Sequence, residues 1–403
     1  MRVLAISHLY PHASEPRYGI FVARQLQAMA ASGAQITVIV PQPRIPTLLM
    51  RLMGRDPHAN RRLCDYEGLT AIPVPCLGMP GAWFKEFSGA VAAQAMISRV
   101  RKLHADTPFD VIYATNLFLG GDAAIRVGQQ LGIPAACLAI GTDVNLEPML
   151  SNRLRTTYER VVSGLDGVLS CGESLATEME KLRSDKCLCV YGVVDLDTFR
   201  PVDDVREIRS ELDLPRDRRI VLYVGYLLKE KGLFELLRVF DRIHQRHPDA
   251  MLVLCGEGKD GAALKSLAAS LNRDAIRFVG AVEPDRVSRY MQAADLFVLP
   301  SYGEGMPNAV MEAMACGLPV VATQVGGLPA ALGDCPAAIL VPPKQEAPLE
   351  EALDAVLQDE PRRQQMRADA RSKAMASFGA KPNAKKILQF LQQLADASAN
   401  ANA

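Results

Sequence analysis

One pattern, run through twice, constrains this chain most: short stretches of β-branched and apolar residues, each followed by a loop and then by helical spacing. Arg2 to Ser7 (RVLAIS) is the first such stretch. After a loop holding Pro11, Pro16 and Gly19, the residues Phe21, Val22, Leu26 and Met29 repeat with helical period, and Gly33 stops that helix. Ala34 to Val40 follows as a second strand closed by Pro41. Strand, helix, strand is a βαβ unit, and it commits the chain to parallel pairing. The pattern recurs in VIYA (111–114), a helix over 120–131, AACLAI (135–140), a helix near 150–163 and GVLSC (167–171). These elements predict one doubly wound α/β domain.

A polar stretch, Asp203 to Arg219, carries more charge than anything before it and marks the change to a second series. That series predicts strands at Ile220–Val224, Met251–Cys255, Arg277–Val279, Asp295–Leu299, Pro319–Ala322 and Ala338–Val341, with helices from Gly232 to about His244 and over 261–271. Two domains also suit the length, because 403 residues exceed the ~250–300 at which a single core stops growing. Two nucleotide-type domains in succession predict a cleft between them, outside the carboxyl ends of their strands, as the ligand site. The last residues, Ala395 to Ala403, lack periodicity and read as a frayed end.

Charge and cysteine content exclude several classes. Forty-five basic residues balance forty-five acidic ones, which leaves no whole-chain electrostatic case for nucleic acid. No apolar run approaches the ~18 residues of a spanning helix, and the start is too short in apolar residues for a signal peptide, so a cytosolic location is expected. Nine cysteines contain no CxxC, and reduced, mostly buried thiols are the simplest reading.

The stretch Ser301-Tyr-Gly-Glu304-Gly305-Met306-Pro307-Asn308-Ala309-Val-Met-Glu312-Ala-Met-Ala-Cys-Gly317 carries the most chemistry. It reads as a glycine loop after a strand, then a short helix with Pro307 at its start. Such a helix start offers free amides and the positive end of a dipole to a phosphate. Met306, Asn308 and Ala309 can donate; Pro307 cannot. Glu304 in the loop and Glu312 in the helix put carboxylates on either side of that point, roughly 6–8 Å apart in helical rise. Carboxylates flanking a phosphate suit the hydroxyls of a nucleotide sugar. Glu312 alone would pass for a solvated helix carboxylate, but Val310, Met311, Ala313, Met314 and Ala315 surround it, and a carboxylate in so apolar a helix needs a partner.

Gly225-Tyr226-Leu-Leu-Lys229-Glu-Lys231-Gly232 follows a strand and precedes a helix, where a lysine can clamp a diphosphate; a plain surface lysine is the simpler alternative. Gly256-Glu-Gly258-Lys-Asp-Gly261 is a literal GxGxxG, yet it lies on the second strand of its domain and has no acidic residue at the expected distance except Glu283. It reads as a tight turn that lets ligand or backbone come close. In the first half, Asp143 of Gly141-Thr-Asp143-Val-Asn145 sits at a strand's carboxyl end, where it either caps the next turn or reaches the reaction. Gly19 lies in the loop after the first strand.

Taken together these segments resemble the retaining family 4 glycosyltransferases. The segment from Ser301 to Ala322 is similar to their E-x7-E signature, Gly225–Gly232 to their glycine turn ending in Glu-Lys-Gly, Gly192–Phe199 to their Gly-Val-Asp segment, Gly256–Gly258 to their Gly-x-Gly, and Gly280 to the start of their base-binding loop. The opening, with Gly19-Ile-Phe-Val, is similar to members that build bacterial polysaccharides.

The resemblance implies a GT-B fold. Its acceptor domain would be 1–195 and its nucleotide-sugar domain 196–378, with 379–403 holding a final helix (about 381–394) that crosses back. It implies that Glu304, with Gly305, Met306, Pro307, Asn308 and Ala309, holds the donor sugar, that Lys231 holds the diphosphate and Glu312 the ribose, and that Gly19 approaches the phosphate. Gly225, Tyr226, Gly256, Gly258 and Val282 would complete the donor site. Glu304, Lys231 and Asp143 form the expected catalytic set. The co-substrate would be a UDP- or GDP-linked sugar, with no cofactor and no metal. The departure is Tyr226, which stands where the family has an arginine beside its lysine.

Other classes compete. Gly256–Gly261 would serve an NAD-dependent oxidoreductase, and Glu304 with Glu312 a glycoside hydrolase, although hydrolysis needs no phosphate site. A two-domain binding protein without catalysis would fit the same cleft. For the acceptor, Arg44, Arg51, Arg55, Arg61 and Arg62, then Trp83, Phe84 and Phe87, interleave basic and large apolar residues. They suggest contact with an anionic membrane that carries a lipid-linked sugar; a solvated, partly packed surface is the alternative. Charge allows the first: up to Lys102 there are twelve basic and five acidic residues, a net of +7, offset by −7 in the remainder.

Overall fold

Seven strands form the first sheet: β1 (Arg2–Ile6), β2 (Gln35–Arg44), β3 (Ala71–Leu77), β4 (Val111–Thr115), β5 (Ala135–Ala139), β6 (Gly167–Ser170) and β7 (Leu188–Cys189). Six form the second: β8 (Arg219–Val224), β9 (Ala250–Cys255), β10 (Ile276–Gly280), β11 (Leu296–Leu299), β12 (Val320–Thr323) and β13 (Ala338–Val341). All pair in parallel, in the orders β3-β2-β1-β4-β5-β6-β7 and β10-β9-β8-β11-β12-β13. The computed structural model describes every residue except 16–17, 47–61, 65–67, 70, 80, 146, 186, 272 and 403. It divides into one unit of Met1–Val193 with Ala380–Ala403 and a second of Val194–Gly379.

Both strand orders grow outward from their first strand, return to its other side and grow away again. The loops that leave the carboxyl ends of β1 and β4 therefore diverge, as do those of β8 and β11. Each divergence is a topological switch point, where doubly wound folds open a crevice.

The central strands are apolar throughout because helices cover both faces. Beneath one face of the first sheet lie the helix Ile20–Ala31 and the C-terminal helix Ala380–Asn402, which inserts the fully buried Ala384, Ile387 and Leu391. On the other lie the helices Ala82–Asp106 and Asp122–Leu131, with Ala92, Met96, Val100, Ala123 and Val127 in the core. In the second unit the helix Leu233–Arg246 buries Leu236, Leu237, Phe240 and Ile243 completely.

The predicted elements recur within a residue or two, and three points differ. β2 continues through Pro41 and Pro43 to Arg44. Its pairing with β1 ends at Ile39, and beyond that it pairs only with β3. Prolines at alternate positions, 41 and 43 on β2 and 73 and 75 on β3, leave every second amide for the ladder, which an edge strand tolerates. The final helix does not fray at Ala395 but runs to Asn402, as its alanine content favours. The charged stretch 203–219, read as the change between the two series, lies inside the second unit: Asp204 caps the helix Val205–Glu211, and the buried Arg209 of that helix bonds the Ala293, Arg216 and Arg218 carbonyls and Asp295 at 2.7 Å. The division at 193/194 and 379/380 lies within two residues of the expected one. All nine cysteines are free thiols, five buried and four half-buried.

Candidate active site

At the second switch point the loop after β8 meets the loop after β11. Lys231 Nζ donates to Glu304 Oε1 at 2.6 Å, with both side chains largely withdrawn from solvent. The backbone draws the same loops together, since Tyr302 N donates to the Glu230 carbonyl at 2.8 Å. Gly232 makes this approach feasible. Its φ of 68° is left-handed, and a Cβ there would sit 2.0 Å from the Pro300 carbonyl oxygen. Two of the residues read from the sequence as donor ligands are thus in direct contact.

Glu304 lies ahead of the short helix Asn308–Ala315, whose first amides, those of Asn308 and Ala309, have no acceptor within the helix. Asn308, Gly305 and Gly303 are exposed, while Met306, Pro307 and Ala309 are half-buried. Glu312 is half-buried one turn further on, among the buried Val310, Met311, Ala313 and Met314. The loop is fixed from behind, where Gly327 N donates to the Gly305 carbonyl at 2.7 Å. A preformed cation, a carboxylate and open amides at a helix start are the parts needed to hold a phosphorylated sugar.

The GxGxxG stretch has a different use. A Cβ on Gly256 would lie 1.8 Å from the Gly225 carbonyl oxygen, and one on Gly258 2.4 Å from that of Leu227. These glycines let the loop after β9 press on the loop after β8, so the backbone alternative holds and the dinucleotide fingerprint loses its glycines to packing. Asp260 accepts the Lys229 amide at 2.8 Å, which ties the same two loops. Beside them is a cavity of about 360 Å³ lined by Val224, Gly225, Tyr226, Gly256, Glu257 and Val282 among others. Tyr226 is 72% exposed on its rim. Its carbonyl is held by the buried Tyr223, whose hydroxyl donates at 2.8 Å. Burial, helped by the nearby Glu304 carboxylate, pushes the Tyr223 phenol well up. Tyr223 and Asp260 escape a sequence reading; the one signal is a tyrosine inside an otherwise apolar strand.

Asp143 is fully buried in the first unit. Its Oδ1 accepts the Ile140 and Gly141 amides at 3.0 and 2.9 Å, and its Oδ2 the Leu117 amide at 2.9 Å. The carboxylate thereby joins the loops after β4 and β5. Desolvation raises its pKa to about 6 despite the three amides. Gly19, left-handed ahead of the helix Ile20–Ala31, lies against the Leu9 backbone, where a Cβ would come within 2.3 Å of the Leu9 carbonyl carbon. Of the basic-aromatic segment, Arg51, Arg55 and Arg61 lie outside the described residues. Arg44 and Arg62 are exposed, Trp83 and Phe87 are exposed at 59% and 49%, and Phe84 turns into the core. No helix among the described residues is long and apolar enough to cross a membrane.

Two parallel doubly wound units, one with a lysine–carboxylate pair and a helix start at its switch point, define the GT-B class of glycosyltransferases. Residues 18–187 match the glycosyl transferase 4-like domain, and residues 204–373 match the glycosyl transferases group 1 family. The chain is 32% identical over 394 residues to TuaC of Bacillus subtilis (strain 168), whose name places it in teichuronic acid biosynthesis as a glycosyltransferase; the match covers 96% of this chain and 97% of that one. Among solved structures, sucrose-phosphate synthase from Thermosynechococcus elongatus superposes with a TM-score of 0.73 at 22% identity, covering 98% of this chain and all of that one. Anabaena HepE, solved with UDP, gives 0.71 at 17% identity over 98% of this chain and all of its own. The chain belongs to the family 4 type of GT-B glycosyltransferases.

Proposed function

We propose that this glycosyltransferase moves a sugar from a UDP- or GDP-linked donor to a glycan or lipid-linked acceptor in the building of a bacterial cell-surface polysaccharide, with retention at the anomeric carbon. The observation that carries the donor side is the 2.6 Å Lys231–Glu304 pair at the second switch point. Its position beside open helix amides favours a diphosphate at Lys231 and a sugar at Glu304. The apolar cavity lined by Gly225, Tyr226, Gly256 and Val282 suits the base, and Glu312 the ribose. The relatives support the rest: HepE was solved with UDP, and TuaC is named for teichuronic acid.

In the reaction the bond from the anomeric carbon to the leaving diphosphate oxygen breaks while the acceptor oxygen bonds to that carbon on the same face. The acceptor hydroxyl's proton passes to the departing phosphate oxygen. Lys231 and the helix start stabilise the charge that collects on the diphosphate, without a resident metal. Tyr226 brings one hydrogen bond and no charge, so the load on Lys231 is greater than in relatives with arginine there. The chain would work in the cytoplasm, against the inner face of the membrane.

The test is a panel of nucleotide sugars screened by thermal shift, because a donor that binds only the folded chain raises its melting temperature. A UDP- or GDP-sugar should stabilise, and proton NMR of the transfer product should show the donor's anomeric configuration. Inversion, or transfer abolished by chelator, would remove the retaining, metal-independent reading.

A further inference from the structure

The two switch points are braced differently. At the first, Ser7 Oγ and Thr115 Oγ1 share a hydrogen bond at 2.6 Å and tie the ends of β1 and β4. His8 Nδ1, next in the chain, is buried with no hydrogen-bond partner among the described residues, and Lys85 pairs with Glu147. At the second, a side chain outside the Lys231–Glu304 pair supplies the brace. Tyr302 lies on the loop after β11, two residues before Glu304, and is half-buried. Groups from three elements meet it: the turn Lys229–Lys231, the helix Leu233–Arg246 and the loop after β13.

Its amide donates to the Glu230 carbonyl, one residue before Lys231. Its hydroxyl faces Glu235, four residues after Lys231 in the first turn of the helix. Glu235 Oε2 is buried with no hydrogen-bond partner among the described residues, so it stands open to that hydroxyl. Burial, and next the Glu235 carboxylate, raise the phenol's pKa to about 12, which keeps it protonated and able to donate. Lys344, in the loop after β13, puts its ammonium 4.9 Å from the centre of the ring. It does so from a left-handed backbone, φ 62°, that residues with a side chain seldom adopt. Glu235, Tyr302, Thr323 and Lys344 line one small cavity. Tyr302 thus touches the chain on both sides of Lys231. Gly303, between it and Glu304, has no side chain to hold the loop, so the grip on Tyr302 is the nearest one ahead of the carboxylate.

We propose that Tyr302 is a positioning residue for transfer: its amide and its ring, the ring pinned between Lys344 and Glu235, hold the turn of Lys231 against the loop of Glu304 so that Lys231 meets the donor's second phosphate. This rests on the proposed donor reading, which supplies the phosphate. Tyr302 acts through Lys231 and needs no contact of its own with the donor. A tyrosine suits the place because its face attracts a cation while its hydroxyl donates to an anion. Placement decides the outcome, since a shift of about 1 Å in a site of this kind can cost up to ~10²-fold.

The quantity to measure is the affinity gained from the second phosphate, which a general loosening of the fold would not single out. Calorimetric titration of the full chain with UDP and UMP, and with GDP and GMP, gives the ratio of monophosphate to diphosphate Kd for the base that binds. The unsubstituted chain should favour the diphosphate by about tenfold or more, and Lys231→Ala should remove most of that preference. Tyr302→Leu should cut it about fivefold, and Lys344→Gly, which eases the backbone while removing the cation, about twofold to threefold. Tyr302→Phe, which keeps the ring, should recover part of the Tyr302→Leu loss. Monophosphate affinity should stay within about twofold throughout. Tyr302→Leu added to Lys231→Ala should cost nothing further, because the tyrosine acts through that lysine. An unchanged ratio in Tyr302→Leu, an equal loss of both nucleotides, or a loss that adds in full to that of Lys231→Ala overturns the positioning role. Should Tyr302→Leu fail to fold, an unchanged ratio in Lys344→Gly is the same refutation. A ratio that Lys231→Ala leaves intact, or no binding with either base, overturns the donor reading instead.

Discussion

The two sheets share a strand order, and their switch points differ in what holds them together. At β8/β11 a lysine and a carboxylate grip each other across two loops whose backbones also bond. At β1/β4 two hydroxyls make the tie, an aspartate is consumed by three amides, and an imidazole nitrogen is left open. One topology thus supports a charged edge suited to a diphosphate and a nearly neutral edge. Fold places a site; side chains choose its ligand.

Three experiments would break or sharpen that contrast. The largest effect is expected at the charged edge: Lys231→Ala should lower kcat/KM by ~10²–10³ and the melting temperature only modestly, since it removes charge stabilisation from a position largely withdrawn from solvent. Activity close to wild type would detach the diphosphate from Lys231. Asp143→Ala should do the reverse, costing about 2–4 kcal/mol of stability by leaving buried amides unpaired, while the folded fraction keeps most of its rate. Calorimetry beside steady-state kinetics separates the two; a large loss of kcat at unchanged stability would return Asp143 to the reacting atoms.

The smallest effect is in pH. His8 has its pKa depressed from 6.5 to about 4, so its contribution to stability is present above pH 6.5 and is lost as pH falls toward 4, where the unfolded chain takes up a proton that the native one refuses. Asp143 has its pKa raised from 3.8 to about 6, so its contribution is present below pH 3.8 and is lost as pH rises through 6. The slopes oppose each other between pH 4 and 6. Replacing His8 by Asn should therefore make the variant gain melting temperature relative to wild type as pH falls through that window. Parallel curves would mean that His8 is accessible to protons in the native state.

The charged edge at β8/β11 was largely legible in the sequence, for a physical reason. Lys231, Glu304 and the start of the helix Asn308–Ala315 lie in loops whose glycines and prolines announce their turns, and a charge in an apolar neighbourhood stands out. The edge at β1/β4 was not legible. His8, Lys85 and Glu147 come from three distant segments without a motif, and only the strand order β3-β2-β1-β4-β5 brings their loops to one side. β3 was hidden by Pro73 and Pro75, which look like strand breakers until an edge position accommodates them. The GxGxxG run misled in the opposite direction, because close backbone approach uses the same residues whether the neighbour is a pyrophosphate or the Gly225 carbonyl.

The C-terminal helix has a consequence for biosynthesis. Ala384, Ile387 and Leu391 complete a core begun by Val3 and Ala5, so the second unit is an insertion within the first. Its two ends are stitched to each other, with Val194 N donating to the Phe378 carbonyl at 2.9 Å. On the ribosome the inserted unit has all its residues before the host unit does. The half that is started first is the last to be finished, and a chain that stops a few turns early would release an intact second unit beside an open hydrophobic seam.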